Sequence, residues 1–286
     1  MSLREPASLT LEPEAAGATA PPARPSYAAA FWGLMLRDTR LLSRDLFSFV
    51  MRTIMNPLFF VFIFTDIMPK IGQNFSGVGA ANFATILVPG LVGIAILFQG
   101  IMAVALPLSI ELSGTHEIED RLMAPLPVSW VGFEKIFFSV FQSILAGALV
   151  FPMVYFIPVT PVHVQVASWL LLVIVIILSS FAAGALGLTI GTLVKPQQIG
   201  MIFAVVLTPM IFLGCVYYPW ALLARVRWLQ IVSLANPLVY VSEGLRAALT
   251  PAVPHMPGWA FLLALVAAAV GLSWWGIAGF RRRVIG

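Results

Sequence analysis

The sequence predicts an all-α membrane protein with six transmembrane helices, an amphipathic helix ahead of the first span, and a re-entrant outer hairpin before the last. Three observations carry that reading. Of 286 residues, 60% are hydrophobic and 10% are charged, where a soluble domain carries roughly 25% charged residues. Mean hydropathy is +0.98, so the chain is too poor in polar groups to cover itself against water, and lipid must be its main solvent. Long apolar runs recur, most of them meeting the ~20 residues that a bilayer demands.

Residues 1–26 are rich in Ala, Pro, Glu and Thr, with neither an apolar core nor a cleavable-signal pattern. They read as a disordered cytoplasmic tail. Residues 27–45 read as an amphipathic helix. At helical spacing Arg37, Arg40 and Arg44 share one face, and Phe31, Met35, Leu42 and Leu46 share the other. Asp38 interrupts the edge of the apolar stripe. Such a helix lies in the headgroup layer with its arginines toward anionic lipid; the alternative is a plain extension of the first span.

The expected spans are residues 46–68, 84–110, 136–158, 167–194, 199–217 and 258–280. Small residues in the fourth, Gly184, Gly187 and Gly191, suit close helix packing. Residues 220–250 are ambiguous, being moderately apolar yet holding Arg225, Arg227, Glu243 and Arg246, with Asn236-Pro237 in the middle. Charge decides the count. Six spans place 12 basic residues on the cytoplasmic side, Arg281 to Arg283 among them, and leave Lys70, Arg225, Arg227 and Arg246 outside, out of 16 in all. That is the asymmetry of the positive-inside rule. A seventh span would send the Arg281–Arg283 cluster outside.

Both termini are therefore expected in the cytoplasm, and residues 220–250 become a re-entrant or interfacial hairpin. Such backbone survives only where protein or a water-filled cavity shields it. Glu243 and Arg246, spaced i, i+3, can pair on a helix. They are either a surface ion pair of little consequence or a feature near a substrate exit.

A polar island, residues 111–121, separates the second and third spans. Gly114 and Thr115 can break the preceding span and cap a new helix, whose first turn would hold Glu117, Glu119 and Asp120, with His116 and Arg121 nearby. Carboxylates there suit the positive end of the helix dipole, and Pro125 and Pro127 stop it. It is either a helix offered to a partner or a solvated hairpin.

Catalytic chemistry is sparse. The sequence holds no G-x-x-x-x-G-K-[ST] phosphate loop, no H-E-x-x-H and no G-x-S-x-G. His116, His163 and His255 fall on different loops without acidic or Cys neighbours at ligand spacing. The single cysteine, Cys215, lies in an apolar stretch and forms no intrachain disulfide. No catalytic, metal-binding or cofactor-binding residue is expected. Asp66, Glu134 and Lys135 are the ionisable residues associated with spans. All are expected near span ends, with Glu134 and Lys135 within reach of water.

Four segments together resemble the ABC-2 type transporter permeases, nearest in pattern to the drug and lipo-oligosaccharide exporter branch. They are Leu87-Val-Pro-Gly-Leu-Val-Gly93, the island with Pro125-Leu-Pro-Val-Ser129, Phe212-Leu-Gly-Cys-Val-Tyr-Tyr-Pro219, and Ala235-Asn-Pro-Leu-Val-Tyr240 leading to Glu243-Gly-Leu-Arg246. The resemblance runs from Phe31 through Arg283. Family members often have a Ser-Gly pair and Phe residues where this chain has Gly214-Cys215 and Tyr217-Tyr218, and the Leu-Pro pair that often follows is not evident in residues 221–230.

The resemblance implies one transmembrane domain over residues 27–286, with an elbow helix at 27–45, a coupling helix at about 114–122 and re-entrant helices at about 220–250. It implies two permease copies, here expected as a homodimer, working with separate ATPase subunits that hold ATP and Mg. The ATPase-coupling surface would comprise Gly114, Thr115, His116, Glu117, Glu119, Asp120 and Arg121, helped by Arg37 and Arg40 on the elbow. Tyr217, Tyr218, Asn236, Glu243 and Arg246 would lie along an outer pathway. The implied function is export of an amphipathic substrate (a drug, glycolipid or lipid-linked saccharide) across the plasma membrane, with no nucleic-acid partner. The leading alternative is an ion- or proton-driven secondary transporter, for which Asp66 is the plausible acid.

Overall fold

The computed structural model describes residues 27–63, 67, 70, 83–115, 127–156 and 164–285. Among these residues the chain is helical, with no strand. The tail expected at 1–26 and Asp66 lie outside the described residues.

In helix α1 (Tyr27–Arg44), Arg37, Arg40 and Arg44 are exposed and Met35 is buried, while Leu46, expected on the apolar face, is exposed. Helix α1 meets α2 (Leu46–Phe62) at an angle of 74°, with Asp45 at the corner. Helix α3 (Phe83–Ile110) continues into a π-helical turn, Glu111–Thr115. Helices α4 (Val128–Phe156) and α5 (Trp169–Leu193) follow. Then come α6 (Pro196–Ile202), a π segment (Phe203–Leu207) and α7 (Thr208–Phe212). The far end of the bundle holds a 3₁₀ turn (Trp220–Arg225), α8 (Arg227–Ser233) and α9 (Pro237–Leu249), and α10 (Gly258–Ile285) closes the described chain.

Four of these helices are long and apolar enough to cross a bilayer: Thr85–Ser113, Val128–Phe156, Trp169–Leu193 and Gly258–Val284. The α1–α2 pair passes the same test as a bent unit, and Pro196–Phe212 is apolar but shorter. Helix α3 is the central one, packing on α5, α4 and α9. Its contact with α5 is close because the latter is lined with glycine. A Cβ at Gly187 would lie 2.7 Å from the Ile101 carbonyl oxygen, inside any real contact, so the two backbones meet with nothing between them.

Hydrogen bonds at the helix ends define the two ends of the bundle. The last carbonyls of α5 have no partner within their own helix. Ser109 Oγ, from the end of α3, donates to the Val194 carbonyl at 2.7 Å, and Arg283, from the end of α10, donates to that of Thr192. Lys135, near the start of α4, bonds Glu111 just past α3. At the opposite end, Gln165 and Ala167 donate backbone N–H groups to the carbonyls of Leu249 and Ala248. Lys135, Lys195 and Arg283 thus gather at one end, and α9 lies at the other.

Candidate functional site

The near end carries the two margins of the polar island. Lys135 Nζ lies 3.0 Å from Glu111 Oε1 and 2.9 Å from Oε2, and both side chains are buried. The pair ties the exit of α3 to the first turns of α4. Gly114 and Thr115 fall in the π turn that follows α3. His116, Glu117, Glu119, Asp120 and Arg121 lie outside the described residues.

The expectation that Glu134 and Lys135 reach water is corrected: their exposures are 0% and 6%. The helix starts at Val128 instead of residue 136, so both residues lie within it. The packing of α1 covers this end, with Phe31 edge-on to Trp130 and to Phe137 at 6.3 and 6.1 Å. Lys135 exchanges hydration for a carboxylate, which is how a buried ammonium is tolerated.

A cavity of about 310 Å³ opens between α1, α2, α3 and α4 beside this pair. Its charged lining is Arg37, Asp38, Asp45, Arg52, Glu111 and Lys135, set against Phe49, Met102 and Phe138. Asp38, which breaks the apolar stripe in sequence, is buried here; it helps form the charged wall. Deeper in, Gln142 Oε1 accepts from Gln99 Nε2 at 2.9 Å, and Thr53 Oγ1 approaches Gln99 Oε1 at 3.4 Å. Sequence reasoning missed this polar chain. Its signal was the glutamine in each of two otherwise apolar spans.

At the far end Tyr217, Tyr218, Asn236 and Arg246 each contact residues 210–216, and Glu243 pairs with Arg246. Asn236 caps α9 by accepting from Leu238 N at 3.0 Å, and its Nδ2 donates to the Met210 carbonyl at 2.6 Å. The Tyr218 hydroxyl donates to the Phe212 carbonyl at 3.0 Å. The Tyr217 ring packs on Phe60 and Phe212, with centroids 5.7 and 6.3 Å away.

Glu243 and Arg246 pair as their spacing allows, but not on a surface. Both are fully buried, which removes the surface-pair alternative. Glu243 Oε1 accepts from Trp220 N and Oε2 from Met256 N, each at 2.8 Å, and Arg246 donates to the Cys215 carbonyl at 2.9 Å. One ion pair thereby ties α9 to three separate turns. Cys215 itself has φ 52°, a left-handed conformation that costs a non-glycine residue about 1–2 kcal/mol.

These arrangements position helices, loops and an amphipathic cavity. Among the described residues no three His, Cys, Asp or Glu side chains converge as a metal site requires. Residues 29–250 match the family model of the ABC-2 type transporter. The chain belongs to that family. Among curated relatives it is similar to the inner membrane transport permease YadH of Escherichia coli K12, at 28% identity over 178 residues, which is 62% of this chain and 66% of that one. The proteins of the same name in Escherichia coli O157:H7 and Shigella flexneri match equally. The chain spans just under two thirds of the length of these curated relatives.

Proposed function

We propose that this chain is the membrane-spanning subunit of an ATP-binding cassette exporter. Two copies would work with separate ATPase subunits, which hold ATP and Mg, to move an amphipathic substrate across the cytoplasmic membrane. The Glu111–Lys135 clamp is the observation that carries this reading. In an ABC-2 permease, a buried ion pair joining α3 to α4 lets a push on residues 114–122 move the two helices together. Arg37 and Arg40, exposed on the same end, extend that surface.

The proposed topology has six crossings: α2, α3, α4, α5, the α6–α7 unit and α10. It rests on the gathering of basic helix ends at one end of the bundle, in keeping with the positive-inside rule, and places both termini in the cytoplasm. In it α1 is the elbow, residues 1–26 are a separate tail, and α8–α9 form the re-entrant hairpin. The burial of α9 against α3, α5 and α10 supplies the protein shield that re-entrant backbone needs. Transport is then a change in helix packing that ATP binding favours in one direction. The outer residues act at the exit, Tyr217 and Tyr218 by contact and Asn236, Glu243 and Arg246 by holding its walls.

The test is recovery of the ATPase with the tagged permease from its native membrane. Glu117→Lys with Glu119→Lys is expected to leave permease yield unchanged and to reduce recovered ATPase about tenfold or more, the scale of losing charge-assisted contacts. Undiminished recovery would remove the coupling assignment.

A further inference from the structure

The cavity beside the elbow has a charge arrangement that the transport reading does not use. Asp45 stands at the α1–α2 corner, and Arg52 follows seven residues later, about 10 Å farther along the α2 axis. Both line the cavity, and among the described residues neither side chain forms a hydrogen bond or ion pair. Lys135 and Glu111, by contrast, satisfy each other. Two opposite charges thus line one hollow without partners, both partly open to it, with Arg52 about two turns farther along α2 than Asp45 and with Phe49 and Phe138 in the same lining. Helical side chains lean toward the N-terminus, so the long Arg52 side chain leans back into the space below Asp45.

We propose that this cavity binds the zwitterionic headgroup of an aminophospholipid drawn from the adjoining leaflet. In such a lipid the phosphate lies next to the apolar part and the ammonium lies farther out. That order matches the order along α2 from the corner, Asp45 first and Arg52 about two turns farther on. The phosphate takes the guanidinium as a charge-assisted, two-pronged partner, and the ammonium takes the Asp45 carboxylate. Gln142, whose Oε1 is held by Gln99, has amide hydrogens left for an ester oxygen. The volume of about 310 Å³ is at the lower end of small-ligand sites, the size of a headgroup and not of a whole lipid. The apolar chains would leave sideways, past the exposed Leu41 and Leu106. The proposal rests on the membrane orientation given above, because it needs α1 at an interface.

Native mass spectrometry of the full chain, purified with whatever ATPase accompanies it, tests this against phosphatidylethanolamine and phosphatidylglycerol. The wild-type protein is expected to retain the first about tenfold more strongly than the second. Arg52→Gln should lose both lipids, Arg52→Lys should keep partial binding, and Asp45→Asn should bind the two alike. Equal retention of both lipids by the wild type, or unchanged retention by Arg52→Gln and Asp45→Asn, would overturn the site. So would loss of the dimer in Arg52→Gln, which would assign the arginine to a second copy of the chain. Soluble glycerophosphoethanolamine separates the sources: if it displaces the lipid at comparable concentration, a free phosphoamine and not a membrane lipid is the ligand, and the proposal fails. The ATPase recovered in the same preparation reports the transport reading independently, so lipid binding without ATPase overturns that reading alone.

Discussion

Arg246 illustrates how one side chain can hold a region together. Its guanidinium is fully buried and meets Glu243 and the Cys215 carbonyl, while Glu243 accepts two backbone N–H groups from other turns. A buried pair of this kind adds little over a well-packed apolar substitute, but removing one partner leaves an uncompensated charge, at a cost of about 3–5 kcal/mol. Arg246→Met is therefore expected to lower the thermal unfolding midpoint of the purified permease sharply, and Glu243→Gln with Arg246→Met to recover much of the loss. The double variant keeps an acceptor for one backbone N–H and leaves no charge behind. Equal midpoints for the single variant and the wild type would show that the pair is not what braces α9. Cys215 bends the chain at this point in a conformation that suits glycine, and its carbonyl is held by Arg246.

Helices α3 and α4 transmit force only if their near ends move together. The Glu111–Lys135 pair joins them across the loop, and α1 packs over the joint through Phe31. Lys135→Glu and Glu111→Lys, each leaving two like charges buried side by side, are expected to separate ATP hydrolysis from transport. The reversed pair, Glu111→Lys with Lys135→Glu, should restore coupling. The measurement is substrate moved per ATP in proteoliposomes holding the permease and its ATPase. If the reversed pair behaves no better than the single variants, the residues matter individually and not as a clamp. The glycine face of α5 has a different task. With the Cβ atoms gone at Gly187 and Gly191, α3 and α5 pack backbone to backbone.

The whole molecule presents an exterior that only lipid or another subunit can solvate. Trp169, Leu170, Trp259, Leu263 and Trp274 are all exposed. The proposed six crossings make a direct prediction: a reporter fused after Gly286 should read cytoplasmic, together with one fused ahead of Tyr27. A signal from opposite sides would require an odd number of crossings and would reassign α9 as a span.

Composition and hydropathy were enough for the all-helical membrane class. They work because the bilayer imposes one rule on every spanning segment, that backbone groups be satisfied internally beneath an apolar surface. That rule is local and can be read residue by residue. The motifs in sequence order were enough for the family, and i, i+3 spacing was enough to pair Glu243 with Arg246. Tertiary structure alone decided where that pair sits, because spacing reports which residues can meet on a helix and not what covers them. The same limit hid the Glu111–Lys135 pair, whose partners are 24 residues apart, and it placed Glu134 and Lys135 near water when the fold buries both. Asp38 looked like a flaw in an apolar stripe until four helices gathered around it. Burial of charge depends on neighbours that are distant in sequence, and only the folded chain brings those neighbours into place.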